Sequence, residues 1–339
     1  MSGEDNDEEI FGLTPEEEAQ EQAAELKTYF TDNPRFRFIK LIGNGMNGAT
    51  FHMRLNDPKV PNITDFIVKR AFEEDNAIEQ LGEEKNFLRR LRGNKHIVES
   101  LDIPNNPLSA HIDEESWMIQ EYIPRGDLYT FMQRVREQRP KLPQRLLWSL
   151  FLCLIRACIA MAWPEGDETI QPDQKPSGIQ HGDLHQSNIL LADPPEDGEH
   201  TIAPLLKVID FGQAGPGTLE RTAEQENIRA IGEVMHQLIV PVPRRITEEE
   251  QSGWPEVEWD GKKFRTFAVQ LVPVPEGVDS TMATLVCAAF AVKTDERLTL
   301  AVLLEAAQQR VAAPAGDNPE EQNEAISTFW RNIVYNAST

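Results

Sequence analysis

The sequence predicts an α+β protein in two parts, a small sheet-forming portion followed by a larger and mainly helical one. Three observations predict it. Between Phe36 and Ile123 the apolar residues fall in short runs rich in Phe, Ile, Val and Thr, punctuated by Gly, Pro and Asn, which is the texture of strands. After Gly126 the runs lengthen and take a helical period. One of them, residues 146–163 (LLWSLFLCLIRACIAMAW), is apolar nearly all round, as a helix at the centre of a large domain is. A length of 339 residues suits about two domains, or one large domain of two lobes.

The elements follow in order. Residues 1–33 read as an acidic, flexible tail, since residues 1–25 hold ten acidic side chains and no Lys or Arg. That much like charge with so little apolar surface does not offset the entropy of ordering. Within the tail, Thr14-Pro15-Glu16-Glu17 has the form of a helix start for residues 14–29, and Ile10, Phe11 and Leu13 are its residues suited to docking. Residues 36–41, 50–55 and 66–70 are strand candidates, separated by a glycine cluster and by turn residues around Pro58 and Pro61. Residues 79–92 are helical by pattern, with Leu81, Phe87, Leu88 and Leu91 on one side. Residues 97–103 and 116–123 read as two more strands. Helices follow at 128–139 and 142–163, short strands at 189–191 and 206–209, and helices over 222–239 and 281–311. Residues 240–279, rich in proline, are irregular with one hairpin, and a loop at 314–324 precedes a last helix at 325–335. The predicted divisions are a tail at 1–33, a first lobe at 34–125, a second lobe at 126–312 that includes the 240–279 insertion, and a terminal loop and helix at 313–339.

Charge and cysteine content exclude several classes of function. The formal net charge is −23, which argues against affinity for nucleic-acid phosphates or anionic lipid. Three cysteines cannot form a disulfide scaffold, and Cys153, Cys158 and Cys287 show no zinc-type spacing, so buried thiols are expected. No basic stretch followed by an apolar one opens the chain, so no secretory signal is expected. Residues 146–163 are long enough to span a membrane, but Arg156 lies in their second half and acidic residues follow. A buried helix is expected instead, and with it an intracellular protein, cytoplasmic or nuclear.

Four segments carry chemistry. Gly43-Asn44-Gly45-Met46-Asn47-Gly48 is G-x-G-x-x-G between two strand candidates, a pattern that brings backbone N–H groups close to a phosphate chain. A dinucleotide site needs a helix after the glycines; residues 49–54 read as a strand, which leaves a hairpin lid or a plain glycine-rich turn. Lys69 ends an apolar strand, either as an edge lysine reaching solvent or as a cation paired with a carboxylate on the next helix, Glu84 ahead of Glu83. His181-Gly182-Asp183-Leu184-His185-Gln186-Ser187-Asn188 puts an Asp and an Asn five residues apart before a strand. Val208-Ile209-Asp210-Phe211-Gly212 then places another carboxylate after a second strand. Such a set can supply a proton acceptor and two Mg²⁺ ligands; two unrelated Asp turns explain either motif alone but not both in this order.

With Glu121-Tyr122-Ile123 and a closing Asp295-Glu296-Arg297, these landmarks resemble the protein-kinase superfamily over residues 36 to 311. The resemblance implies a two-lobed kinase fold with ATP between the lobes. It makes Ile42, Gly43, Gly45, Gly48 and Thr50 the lid over ATP, Lys69 and Glu84 its phosphate-side pair, and Gln120 the gatekeeper. The Glu121 carbonyl and the Ile123 backbone would hold adenine, and Asp127 the ribose. Asp183 would be the catalytic base, with Lys69 and His185 assisting, and Asn188 and Asp210 would ligate Mg²⁺. The implied activity is ATP-dependent phosphotransfer to protein Ser or Thr.

Departures from the pattern keep alternatives open. Thr50 stands for the usual Val, Ile67 for a small residue, Gly182 for an arginine and His185 for a lysine. Fourteen residues separate Gly212 from Asn227, which stands where an Asp usually opens a buried helix. No Ala-Pro-Glu triplet appears, so Arg297 is expected to lack its glutamate partner. His-Gly-Asp-Leu-His is also similar to the loop of aminoglycoside and choline phosphotransferases. The alternatives are therefore a small-alcohol kinase and a scaffold of kinase shape that binds ATP without efficient catalysis.

Overall fold

The computed structural model describes residues 13–57, 59, 63–138, 141–195, 198–218, 222–240, 247 and 253–335. The chain divides into two units, Met1–Lys85 with Ser100–Tyr122 and Asn86–Glu99 with Ile123–Thr339. The sequence placed this division near residue 125 and gave all of 34–125 to the first part; residues 86–99 belong to the second.

The amino-terminal unit is built on one antiparallel sheet in the order β1-β2-β3-β4, formed by Phe36–Asn44, Gly48–Leu55, Asp65–Ala71 and Trp117–Glu121. Strand β2 turns Ala49, Phe51, Met53 and Leu55 to one face, β3 carries apolar residues on both, and Phe51, Phe66 and Val68 are fully buried. Phe36 on β1 meets Phe66 edge-on at 5.8 Å. Helix α2 (Asp75–Arg90) begins in this unit and ends in the other.

The helix expected over residues 14–29 is α1 (Pro15–Tyr29), but it is packed rather than part of a flexible tail. Thr14 caps it and Glu17 closes the capping box. Ala19, Gln22 and Leu26 are buried, at the spacing of one helical face. Gln22 Nε2 donates to the Ala71 carbonyl at 2.9 Å, and Glu25 pairs with Arg70 at 2.5 Å. Of the residues suited to docking, Ile10 and Phe11 lie outside the described residues, and Leu13 is exposed.

The carboxyl-terminal unit is mainly helical. Helices α3 (Leu128–Gln138), α4 (Gln144–Ala162), α5 (Ala223–Ile239), α6 (Ser280–Ala289), α7 (Leu300–Ala312) and α8 (Asn323–Tyr335) surround short strand pairs. In α4 every residue from Leu146 to Ala162 except Arg156 is buried, so a helix apolar and long enough to cross a membrane is the core of this unit. Strand β5 (Ile179–Gln180) pairs with β8 (Gly215–Pro216), β6 (Ile189–Ala192) with β7 (Leu205–Val208), and β9 (Glu256–Trp259) with β10 (Lys262–Arg265). The β9–β10 hairpin is the one expected inside residues 240–279; Pro241 and Pro243 lie outside the described residues. All three cysteines are buried and none forms a disulfide. Burial pushes the Cys158 thiol up, and the Cys287 thiol up to about 12.

One further expectation changes. Residues 97–103 are not a strand: Val98 bonds to Val208 of the second unit, while Leu101 bonds to Ile119 of the first. A segment that changes partners after two residues cannot build a ladder. Residues 281–311, expected to be mostly helical, hold α6 and α7 with a short turn at 294–296 between them.

Candidate active site

In the amino-terminal unit, strand register positions the predicted groups. Gly43 lies opposite Thr50, and Thr50 opposite Lys69, so one row across the sheet holds a glycine, the threonine and the lysine. The glycine segment is a hairpin, closed by a 2.9 Å bond from the Gly45 N–H to the Gly48 carbonyl. A Cβ on Gly48 would overlap the Arg70 carbonyl, so that glycine answers to β2–β3 packing. Gly43 and Gly45 meet nothing within 4 Å, and Ile42 beside them is exposed.

Lys69 reaches Glu84 of α2, with Nζ at 2.5 Å from Oε2. Glu84 is 1% exposed, and Gln120 Nε2 donates to its other oxygen at 3.4 Å. Glu83 is exposed. The lysine is therefore ion-paired, and the edge-lysine reading fails. Glu121 ends β4 opposite Phe66, and the division between the units follows Tyr122.

In the carboxyl-terminal unit, the β6–β7 pairing gathers the acidic and amide groups. Ile189 opens β6 opposite Val208, the last residue of β7, so Asn188 and Asp210 emerge at the same end of the pair. A 3.0 Å bond from the Ile209 N–H to the Asn188 carbonyl ties the two segments. Asn188 Nδ2 donates to the Asp183 backbone carbonyl at 2.9 Å and to its carboxylate at 3.2 Å. The amide nitrogen is thus used within the loop, and Oδ1 is the end suited to a cation.

His185 Nδ1 accepts the Ser187 N–H at 3.1 Å, which leaves Nε2 as the protonated nitrogen; it lies 3.5 Å from the Asp183 carboxylate. The Asp183 and His185 side chains are both about half exposed. Asp127 caps α3 through the Thr130 N–H at 2.6 Å, and its backbone bridges to Leu190. Asp210 adopts φ +65° between Ile209 and the fully buried Phe211.

The loop that carries Asp183 is held by buried neutral groups. His181 is fully buried; its Nε2–H donates to the Ile209 carbonyl at 2.9 Å and its Nδ1 accepts the Asp183 N–H at 3.2 Å. Burial drives its pKa below the usual histidine value, against the raising effect of the Ile209 bond and of Asp210 and Asp183. Its ring packs on Phe211 at 4.7 Å. Asn227, buried at the start of α5, accepts the His181 N–H at 3.0 Å and donates to the Ile179 carbonyl at 2.9 Å. Its amide thus uses both ends, which a carboxylate could not.

Three functional features escaped the sequence reading. Arg297 does have a glutamate partner: Nη1 lies 3.0 Å from Glu226 Oε1 and also donates to the Gln225 carbonyl at 2.8 Å. Glu226, next to Asn227 in the sequence, was the available signal. Gly182 has φ +82°, and a Cβ there would overlap the Gln213 carbonyl oxygen, so no side chain fits where an arginine was expected. A cavity of about 150 Å³ opens beside Asp183 and His185, lined from α5 by Glu226, Arg229 and Glu233.

A family model described as protein tyrosine and serine/threonine kinase matches residues 36–230, more than half of the chain. No curated protein matches it.

Proposed function

The chain belongs to the protein tyrosine and serine/threonine kinase family, and from that premise we propose that it transfers the γ-phosphoryl group of ATP to a hydroxyl acceptor, a protein Ser or Thr first among them. The observation that carries this reading is the Asp183–His185–Asn188 cluster, in which a half-exposed carboxylate is oriented by an amide and faced by an imidazole N–H.

The residues divide the work. Asp183 orients the acceptor hydroxyl and takes its proton as the new O–P bond forms and the bond from phosphorus to the β-phosphate oxygen breaks. Lys69, aimed by Glu84, offers an ammonium to phosphate oxygens. Backbone N–H groups around Gly43 and Gly45 have no side chain over them. Thr50, Glu121, Ile123 and Asp127 serve the nucleoside end, the last with the carboxylate oxygen not used to cap α3. Asn188 Oδ1 and the Asp210 carboxylate are hard oxygen donors of the kind Mg²⁺ prefers. Bound there, the ion would neutralise phosphate charge.

The small-alcohol reading keeps one observation in its favour, the cavity of about 150 Å³ that opens beside Asp183, whose two wall glutamates suit the cation of an amino alcohol. Assay of the full chain with Mg²⁺–ATP against mixed protein acceptors and a panel of amino alcohols distinguishes the two. Asp183→Asn should lower turnover about a hundredfold or more while leaving nucleotide binding near wild type. Equal residual ATP hydrolysis in wild type and Asp183→Asn, with no acceptor phosphorylated, would leave the scaffold reading.

A further inference from the structure

In the carboxyl-terminal unit, away from the residues assigned above, three metal-binding side chains converge in the core. His96, Cys153 of α4 and His200 are all buried, and one donor atom from each lies within 4.8 Å of the other two. The two imidazoles face each other through Nε2, 3.0 Å apart. We propose that His96, Cys153 and His200 form a buried site for one zinc ion.

Proton bookkeeping favours a cation. Glu168 Oε2 lies 2.6 Å from His96 Nδ1, and Glu168 Oε1 accepts the His96 backbone N–H at 2.7 Å. With Nδ1 donating to Glu168, His96 turns its Nε2 lone pair, fully buried, towards His200 and into the cluster. A carboxylate behind one imidazole nitrogen is what fixes the other as a metal ligand.

The charges point the same way. Around the cluster stand Glu168, Glu199 and Arg156, whose Nη2 reaches Glu199 at 2.8 Å. Glu168, Glu199 and Arg156 together carry one negative charge beside the cluster. A divalent ion that displaces the Cys153 proton to solvent brings the sum to zero, while His200 keeps its proton by moving it to Nδ1. Two imidazoles and a thiolate suit zinc, and the Glu199 carboxylate, 4.0 Å from His200 Nε2, is placed to supply the oxygen of a four-coordinate set. The spacing gave no warning, because the ligands are dozens of residues apart and the motif is one of topology.

The ion would tie three segments together: the turn after α2, the middle of α4 and the loop between β6 and β7. The His96 carbonyl already accepts the Val208 N–H at 2.8 Å, two residues before Asp210. The site therefore braces the strand that delivers Asp210.

The test uses the full chain, purified without a histidine tag and assayed by elemental analysis and thermal melting. About one zinc per chain is expected, a chelator should lower the melting temperature, and Zn²⁺ but not Mg²⁺ should restore it. Replacing zinc with Co²⁺ should give a thiolate-to-cobalt charge-transfer band that Cys153→Ala abolishes, and Glu168→Gln should weaken binding about 10- to 100-fold. If Cys153→Ala does not fold, the cobalt band of the wild type decides. No stoichiometric metal with melting indifferent to chelator, zinc bound equally by Cys153→Ala and His200→Gln, or copper held in preference to zinc would each overturn the assignment.

Discussion

Gly182 is the departure from the kinase pattern whose physical meaning can be tested most directly. The perturbation is Gly182→Ala, one methyl group beside Asp183, the proposed base. At φ +82° any Cβ is strained, by about 1–2 kcal/mol for a residue held in the left-handed region. The same Cβ would overlap the Gln213 carbonyl oxygen and stand 2.9 Å from its carbon, so the segment after Phe211 must move. Forcing a methyl into a packed site costs about 1–3 kcal/mol more. The sum, roughly 2–5 kcal/mol, corresponds to a fall in melting temperature of roughly 5–20 °C for a domain of this size. Gly182→Arg, which recreates the residue usual in the family, should do no better, because the harm lies in Cβ and not in the guanidinium. Thermal melting of both variants, with ATP hydrolysis alongside, makes the check. If both melt with the wild type, the close approach to Gln213 is wrong. If Gly182→Arg alone is tolerated or raises turnover, the glycine is only a missing arginine.

Other predictions test the remaining pieces. Lys69→Met should abolish the Mg²⁺–ATP-dependent rise in melting temperature and destabilise the chain by roughly 3 kcal/mol or less, since it strands the buried Glu84 carboxylate; adding Glu84→Gln should recover stability without recovering turnover. His236 is buried, and burial alone drives its pKa below 6.5. Below about pH 6.5 the unfolded chain takes up a proton that the folded chain resists, so stability falls with falling pH by up to about 1.4 kcal/mol per pH unit per such group. Melting curves between pH 7 and 5.5 should therefore converge for His236→Phe relative to wild type, and parallel slopes would refute the burial argument. Deleting residues 1–30 removes the buried Leu26 and Phe30, worth roughly 3–6 kcal/mol, so melting should drop by roughly 5–20 °C; an unchanged melt would mean that α1 is not docked.

What was legible in the sequence was local. Gly43 to Gly48, His181 to Asn188 and Asp210 to Gly212 each fit within a dozen residues, and strand register then brings Thr50 to Lys69 and Asn188 towards Asp210. The docking of α1, though not the helix itself, was obscured by its charge. Counting ten acids in residues 1–25 hides the fact that Ala19, Gln22 and Leu26 share one face, and that Glu25 is spent on Arg70 and Glu18 on the Glu73 N–H. Residues 97–103 looked like a strand because buried β-branched residues occur wherever chain is buried, whatever it pairs with. The His96, Cys153 and His200 cluster left no trace in spacing, since it forms only when α4 is packed between two loops.

The departures on which the scaffold reading rests are matched in this structure by a different set of supports. In the family pattern an arginine before the catalytic aspartate and a separate Ala-Pro-Glu triplet hold the activation segment. Here the first two turns of α5 do both jobs: Glu226 takes Arg297, and Asn227 pins the backbone at His181 and Ile179. Because these contacts lie on adjacent residues of one helix, fourteen residues between Gly212 and Asn227 suffice, and no longer platform is needed to close the circuit. The supports nearest Asp183 are also uncharged: a buried imidazole locked in one tautomer, and an amide using its donor and its acceptor. Neutral groups need no added phosphate to organise them, and Gly182 offers no guanidinium for a phosphate to meet. A loop held this way is set by folding itself, so the proposed activity of Asp183 is constitutive with respect to phosphorylation of Thr218 or Thr222.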